Sequence, residues 1–230
     1  MDQIYLDGSY KASNPTWHAE DAPWKARQIG AMLKKHHINP GTFCEVGCGT
    51  GEILAQLEAA FPEASFFGYE VSPQAFDICS RRQSNRMQFR LLDLTMQTDS
   101  FFDVLLAIDV LEHVEDYFGF LKGLQNKAKL KVFHIPLDLS VQSILRMKPI
   151  LSARQRVGHL HYFTKETAIA TLEDCGYKII DQAYTASRLE LPNQTLSSRL
   201  MKFPRRLFHK LNADLSVRVL GGYSLLVLAA

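Results

Sequence analysis

Apolar residues along this chain fall into two patterns that take turns. Largely apolar runs at Phe43 to Val46, Ser65 to Glu70, Met87 to Leu92, Phe101 to Ile108 and Leu130 to Ile135 predict strands. Between them the apolar positions return every three or four residues, and these spacings predict helices. The helical sets are Trp24, Ile29, Met32 and Leu33; Ile53, Leu54, Leu57 and Phe61; Ala75, Phe76, Ile78 and Cys79; and Tyr117, Phe118, Leu121 and Leu124. The first helix has Asp21 as its cap and Pro23 in its first turn, and Asn39-Pro40-Gly41 stops it. Phe101 to Ile108 is almost continuous in its apolar character, as strands covered on both faces are. Strands and helices that alternate through short links predict an α/β fold built on a doubly wound, mostly parallel sheet. Ligands of such sheets lie outside the carboxyl ends of the strands.

The rhythm breaks at both ends. Residues 1–17 read as a loop-like arm around Asn14-Pro15, and residues 137–158 as a basic, irregular stretch with Arg146, Lys148, Arg154 and Arg156. Thr164-Lys165-Glu166-Thr167 starts a helix that Gly176 ends. Tyr177 to Asp181 and Tyr223 to Leu228 read as closing strands with roughly 40 residues between them, long enough to pack as a lid. The division expected is a single domain: 1–38 arm and helix, 39–184 core, 185–216 insertion or lid, 217–230 closing strand.

Composition narrows the class. At 230 residues and 47% apolar the chain can bury a sizeable core, and a net charge of +2 with pI near 8.3 does not argue for a nucleic-acid partner. Cys44, Cys48, Cys79 and Cys175 form no C-x-x-C pair, so neither a disulfide framework nor a zinc site is indicated and a reducing compartment fits. The opening residues lack a basic region followed by an apolar run, and Val217 to Ala230 contains Arg218 and is too short to cross a bilayer. A cytoplasmic location without a transmembrane segment is expected.

The chemistry concentrates at Glu45-Val46-Gly47-Cys48-Gly49-Thr50-Gly51, a strand that runs into a glycine-dense turn and then a helix. Glycines permit positive φ and close approach of a ligand to main chain, and a helix start offers unpaired N–H groups. The spacing is G-x-G-x-G, not the G-x-G-x-x-G of dinucleotide sites, and Glu45 would repel a pyrophosphate while suiting an amino group. Glu45, Glu70, Asp93 and Asp109 each fall at or near the carboxyl end of successive predicted strands, so all four should rim one crevice. A carboxylate about twenty residues past the glycine turn can bind ribose hydroxyls, and another can accept from an exocyclic amine. Such a rim suits a ligand with a ribose, an amine-bearing base and a cationic tail.

These residues, in this order and with Asp109-Val110-Leu111-Glu112-His113-Val114, resemble the motif set of class I S-adenosylmethionine-dependent methyltransferases over about residues 40 to 185. Gly158-His159-Leu160-His161-Tyr162-Phe163-Thr164 resembles the small-molecule branch that includes ubiquinone-pathway and methionine-related enzymes. The resemblance implies a Rossmann-like seven-stranded sheet whose last strand is antiparallel. It implies S-adenosylmethionine as cofactor, with S-adenosylhomocysteine as product, and an O or N atom of a small-molecule, sugar or lipid-linked compound as acceptor. By position it places Gly47, Gly49 and Gly51, with Cys48, on the methionine moiety and Glu45 close to it. Glu70 with Val71 falls on the ribose, Asp93 with Leu94 around the adenine, and Asp109 with Val110 near the sulfonium.

Histidine is the usual base for a hydroxyl acceptor, and His113 and His161 are the candidates. A helix-start or surface histidine is the competing reading of each. No metal is expected, because no carboxylate accompanies His134, His159 and His161 at ligand spacing. Arg199, Lys202, Arg205, Arg206, His209 and Lys210, interleaved with apolar residues and broken by Pro204, read as a lid helix with a basic face or a peripheral membrane contact over 199–211. Tyr10, Trp17, His18 and Trp24 on the arm read as packed ends more readily than pocket walls. Two other readings stand beside methyl transfer: a nicotinamide-dependent oxidoreductase, disfavoured by Glu45, and a non-catalytic S-adenosylmethionine-binding or regulatory protein.

Overall fold

The computed structural model describes residues 5, 7–191 and 202–230. Seven strands, β1 (Thr42–Val46), β2 (Ser65–Glu70), β3 (Met87–Leu91), β4 (Phe102–Ile108), β5 (Ala128–Pro136), β6 (Ile179–Thr185) and β7 (Ser224–Ala229), form one sheet in the order β3-β2-β1-β4-β5-β7-β6. β1 to β5 pair in parallel, and β7 runs antiparallel to both β5 and β6. This is the Rossmann-like sheet with an antiparallel last strand.

The near-continuous apolar character of β4 has the expected cause. Leu105 and Ala107 pack into one core cluster and Val104, Leu106 and Ile108 into another, so helices cover both faces. α2 (Ala22–Lys35) joins the second cluster through Ile29, Met32 and Leu33, against Leu54 and Leu57 of α3 (Glu52–Ala60). Asp21 does stand at the N-cap of α2, but its side chain makes no capping bond.

The chain departs from expectation where local signals were weak. The arm carries a short helix α1 (Ser9–Ser13). Residues 137–158 are mostly helical: α6 (Val141–Arg146) begins with a reciprocal Ser140–Ser143 capping box, and α7 (Lys148–Ser152) takes Pro149 in its first turn. A π-helical turn, Ala153–Val157, follows. The remaining helices are α4 (Pro73–Cys79), α5 (Tyr117–Leu124), α8 (Lys165–Asp174), α9 (Ser187–Glu190), α10 (Lys202–Leu211) and α11 (Ala213–Leu220). The segment between β6 and β7 therefore carries α9, α10 and α11.

Pro204 does not break the basic stretch, because it falls in the first turn of α10, where a missing N–H costs little. Arg205 is buried and caps α11, donating to Gly221 O at 2.9 Å and Leu220 O at 3.0 Å. Arg199, Leu200 and Met201 lie outside the described residues. No helix among the described residues is long and apolar enough to cross a membrane.

Candidate active site

From β1 the sheet grows one way through β2 and β3 and the other way through β4 and β5, so the loops leaving β1 and β4 part and open a crevice. A cavity of about 630 Å³ occupies it. Glu45, Glu70, Asp93 and Asp109 all line it, with Gly47, Cys48, Gly49, Val71 and Val110.

The glycine turn is built as its spacing demands, but its glycines do different things. Gly47 and Gly49 have φ of +65° and +54°. Gly47 N and Cys48 N donate to Tyr69 O at 2.8 and 3.2 Å, which folds the turn back on β2. A Cβ on Gly49 would meet nothing within 4 Å, whereas one on Gly51, at φ +71°, would strike Phe89 Cζ at 2.6 Å. Gly51 therefore packs inward and does not line the cavity. Leu94 likewise is fully buried in the core and its side chain does not line the cavity.

Glu70 closes the turn from the other side. One carboxylate oxygen accepts from Gly49 N at 2.7 Å, the other from Val71 N and Ser72 N at 2.8 Å each. Burial pushes its carboxyl up and these backbone donors oppose that. Asp93 Oδ1 accepts from Thr95 N and its hydroxyl at 2.9 and 2.8 Å, capping the turn Leu94–Met96. Glu45 Oε2 is buried and has no hydrogen-bond partner among the described residues. Burial holds that carboxyl well above its ordinary range, with Lys25 pulling the other way.

Asp109 anchors a network that periodicity does not show. Directly after β4 it adopts φ +54°, a conformation Asp tolerates better than most residues. Lys25 Nζ from α2 lies 2.7 Å from Oδ2, His134 Nδ1 from β5 lies 2.5 Å from Oδ1, and His134 Nε2 reaches Thr185 Oγ1 at 2.8 Å. Burial acts to raise the Asp109 carboxyl, but His134 and Lys25 outweigh it and hold the group well below the usual carboxylate range. His134 left one trace in the sequence, a polar residue inside the apolar run Val132 to Ile135; Lys25 left none.

The turn Leu111–His113 pairs with residues 158–161. Glu112 O accepts from Leu160 N at 2.7 Å and His161 N at 3.1 Å, and His113 Nδ1 donates to Gly158 O at 3.1 Å. Burial, and then His159, lower His113 to about 4, so its ring is neutral near pH 7 and Nε2 carries a lone pair. His113 lines the cavity. His161 does not: its Nε2 donates to Val114 O at 3.0 Å and its ring lies 4.5 Å from Tyr117, so it fastens the two segments together.

The expectation that no carboxylate accompanies the histidines also fails. The segment pairing brings Glu112, His113 and His159 together, a long-range contact that spacing along the chain cannot reveal. The arm supplies a wall as well: Tyr10, Trp17, His18 and Trp24 all line the cavity, contrary to the packed-end reading. Tyr10 and Trp17 rings lie 4.9 Å apart, and Asn14 ties the arm down through Arg156 O at 2.9 Å.

The sequence matches the family described as a methyltransferase domain over residues 18–182. The chain belongs to this methyltransferase family. No curated protein sequence matches it. Among solved structures, it is similar to the magnesium protoporphyrin IX methyltransferase from Synechocystis PCC 6803 with bound S-adenosylhomocysteine, at 17% identity and TM-score 0.61, covering 90% of this chain and 82% of that one. It is similar to the plantazolicin methyltransferase BpumL, also with S-adenosylhomocysteine, at 15% identity and TM-score 0.64, covering 99% and 92%. The [4+2]-cyclase SpnF shares the fold too, at 15% identity and TM-score 0.61, covering 88% and 79%. Methyltransferases of this class take S-adenosylmethionine as methyl donor, and the cavity fits that group. It offers open main chain at Gly49, a buried carboxyl oxygen at Glu45 with no partner among the described residues, and acids from four strand ends.

Proposed function

We propose that this methyltransferase acts on an oxygen or nitrogen atom of a small-molecule acceptor held between the glycine turn and the His113 end of the cavity. The observation that carries the reading is the convergence of Glu45, Glu70, Asp93 and Asp109 with Gly47 and Gly49 on one cavity. When bound, S-adenosylmethionine supplies a methyl group made electrophilic by its sulfonium. The chain has to hold, align and keep dry.

Glu45 meets the ammonium of the amino-acid tail, Gly47 and Gly49 offer main chain, Glu70 takes the ribose and Asp93 the base. Asp109, kept anionic by Lys25 and His134, stabilises the positive charge beside Val110. His113 faces the acceptor with Nε2, and His161 acts as a positioning residue for the segment behind it. Trp17 Nε1, buried with no partner among the described residues, is a donor available from the arm.

The described parts of the 185–216 insertion, residues 185–191 and 202–216, read as a lid whose Ser187 reaches the cavity wall. On α10, Phe203 (77% exposed) and Leu211 (76% exposed) stand out beside exposed Arg206 and Lys210, which supports a lipid-linked or anionic acceptor met at a membrane surface. Four buried, unbridged cysteines support a reducing, cytoplasmic setting.

Calorimetry with S-adenosylmethionine and NADH tests the donor: binding of the first and not the second is expected, and the reverse overturns the reading. Release of S-adenosylhomocysteine is then followed with fractionated cell extract as acceptor source. Silence across varied extracts would favour a non-catalytic binding protein.

A further inference from the structure

Glu112 is 1% exposed, and neither of its carboxylate oxygens accepts a hydrogen bond from another of the described residues. A buried carboxyl left this way calls for something cationic or proton-bearing to meet it. Its neighbours are two imidazoles. His113 Nε2 stands 3.9 Å from Glu112 Oε1, and one ligand atom from each of Glu112, His113 and His159 lies within 4.8 Å of the others.

Both rings are oriented from behind. His113 Nδ1 is committed to Gly158 O at 3.1 Å and His159 Nδ1 to Asp138 Oδ2 at 2.6 Å, which leaves Nε2 as the free nitrogen of each. Metal-bound histidines are held in this way, by a carbonyl or carboxylate on the second nitrogen. All three side chains line the cavity that holds the glycine turn.

We infer that Glu112, His113 and His159 form a site for one divalent first-row transition cation. Two imidazoles and one carboxylate suit Mn²⁺ to Zn²⁺ and not Mg²⁺, which prefers an all-oxygen shell. Ligands about 2.1 Å from a common ion sit about 3.0 to 3.4 Å apart, so the 3.9 Å gap closes by less than about 1 Å on binding, and no gap in the set, at most 4.8 Å, closes by more than about 1.8 Å. Three protein ligands leave coordination positions open toward the cavity. The cation site stands on this geometry alone; its task rests on the methyltransferase reading. An acceptor hydroxyl bound there has its pKa lowered, its O–H bond breaks, the proton leaves to water and the oxygen keeps the electron pair as nucleophile. His113 then serves as a ligand, and the cation does the work a base would do.

The full chain, stripped with chelator, is titrated with Mn²⁺ and followed by electron paramagnetic resonance, with Zn²⁺ as competitor and calorimetry with S-adenosylmethionine in parallel. One Mn²⁺ per chain, displaced by Zn²⁺, is expected. Glu112→Gln and His159→Gln should each weaken it at least tenfold at unchanged circular dichroism, and Asp138→Asn, whose side chain hydrogen-bonds the far nitrogen of His159, about 10- to 100-fold. Absence of stoichiometric Mn²⁺ or Zn²⁺ binding, or binding that Glu112→Gln and Asp138→Asn leave unchanged, overturns the site. Cofactor binding without metal binding sinks this inference and leaves the methyltransferase reading standing; metal binding without cofactor binding does the opposite.

Discussion

Residues in this cleft carry two duties at once, and Glu70 shows why mutants must be read with care. Its carboxylate holds three backbone N–H groups of the glycine turn and of the start of α4, and it lines the cavity. Glu70→Ala should weaken S-adenosylmethionine binding by about 1.5 to 3 kcal/mol, the range for hydrogen bonds to charged groups. An unchanged dissociation constant in a folded variant contradicts the ribose assignment.

Asp109 makes a prediction with a sign. A carboxyl whose folded pKa is depressed contributes stability above its unfolded value of about 3.9, and that contribution is lost as pH falls through the folded value. Lys25→Met removes one of the partners that depress it, and with Asp109 only 26% exposed should cost about 2 to 3 kcal/mol at pH 7. In urea unfolding, the gap between wild type and variant should stay constant from about pH 7 to 5 and narrow below about pH 4. A gap that widens in acid refutes the ion-pair account.

At the scale of elements, the glycine turn separates packing from binding. Gly51→Ala drives a Cβ into Phe89 at a left-handed position and should cost several kcal/mol or prevent folding. Gly49→Ala meets open space on the cavity side, so its conformational strain of about 1 to 2 kcal/mol should come with a loss of cofactor affinity that Gly51→Ala does not share per unit of stability lost. Thermal melts with and without S-adenosylmethionine distinguish the two. The order of strands and helices from β1 to β5 was legible because each apolar run and each helical stripe is a local pattern. Residues 137–158 were not, because α6 and α7 are short and rest on a Ser140–Ser143 box and a Pro149 start, not on an apolar stripe.

Over the whole molecule, the cleft is finished by pieces distant in sequence. Trp17 and Tyr10 bring the arm over the cavity, so Trp17→Ala should raise the S-adenosylmethionine dissociation constant several-fold with little change in melting temperature, since neither ring belongs to the two core clusters. A matched loss of stability would make the arm a structural clasp instead. If α10 meets a membrane, Phe203→Glu with Leu211→Glu should abolish flotation with anionic vesicles while leaving cofactor binding intact; equal flotation removes that surface from consideration.

Local sequence determined the alternation of elements, the parallel sheet, the glycine turn and the four acids at strand ends, because strand periodicity and turn chemistry act over a few residues and topology carries the carboxyl ends of the parallel strands β1 to β5 to one edge. Tertiary structure alone decided that Gly51 and Leu94 face the core, that Lys25 and His134 grip Asp109, that His161 fastens a segment, and that Glu112 meets His113 and His159. Each of those depends on contacts between residues far apart along the chain, where neither spacing nor composition specifies which side chains will meet.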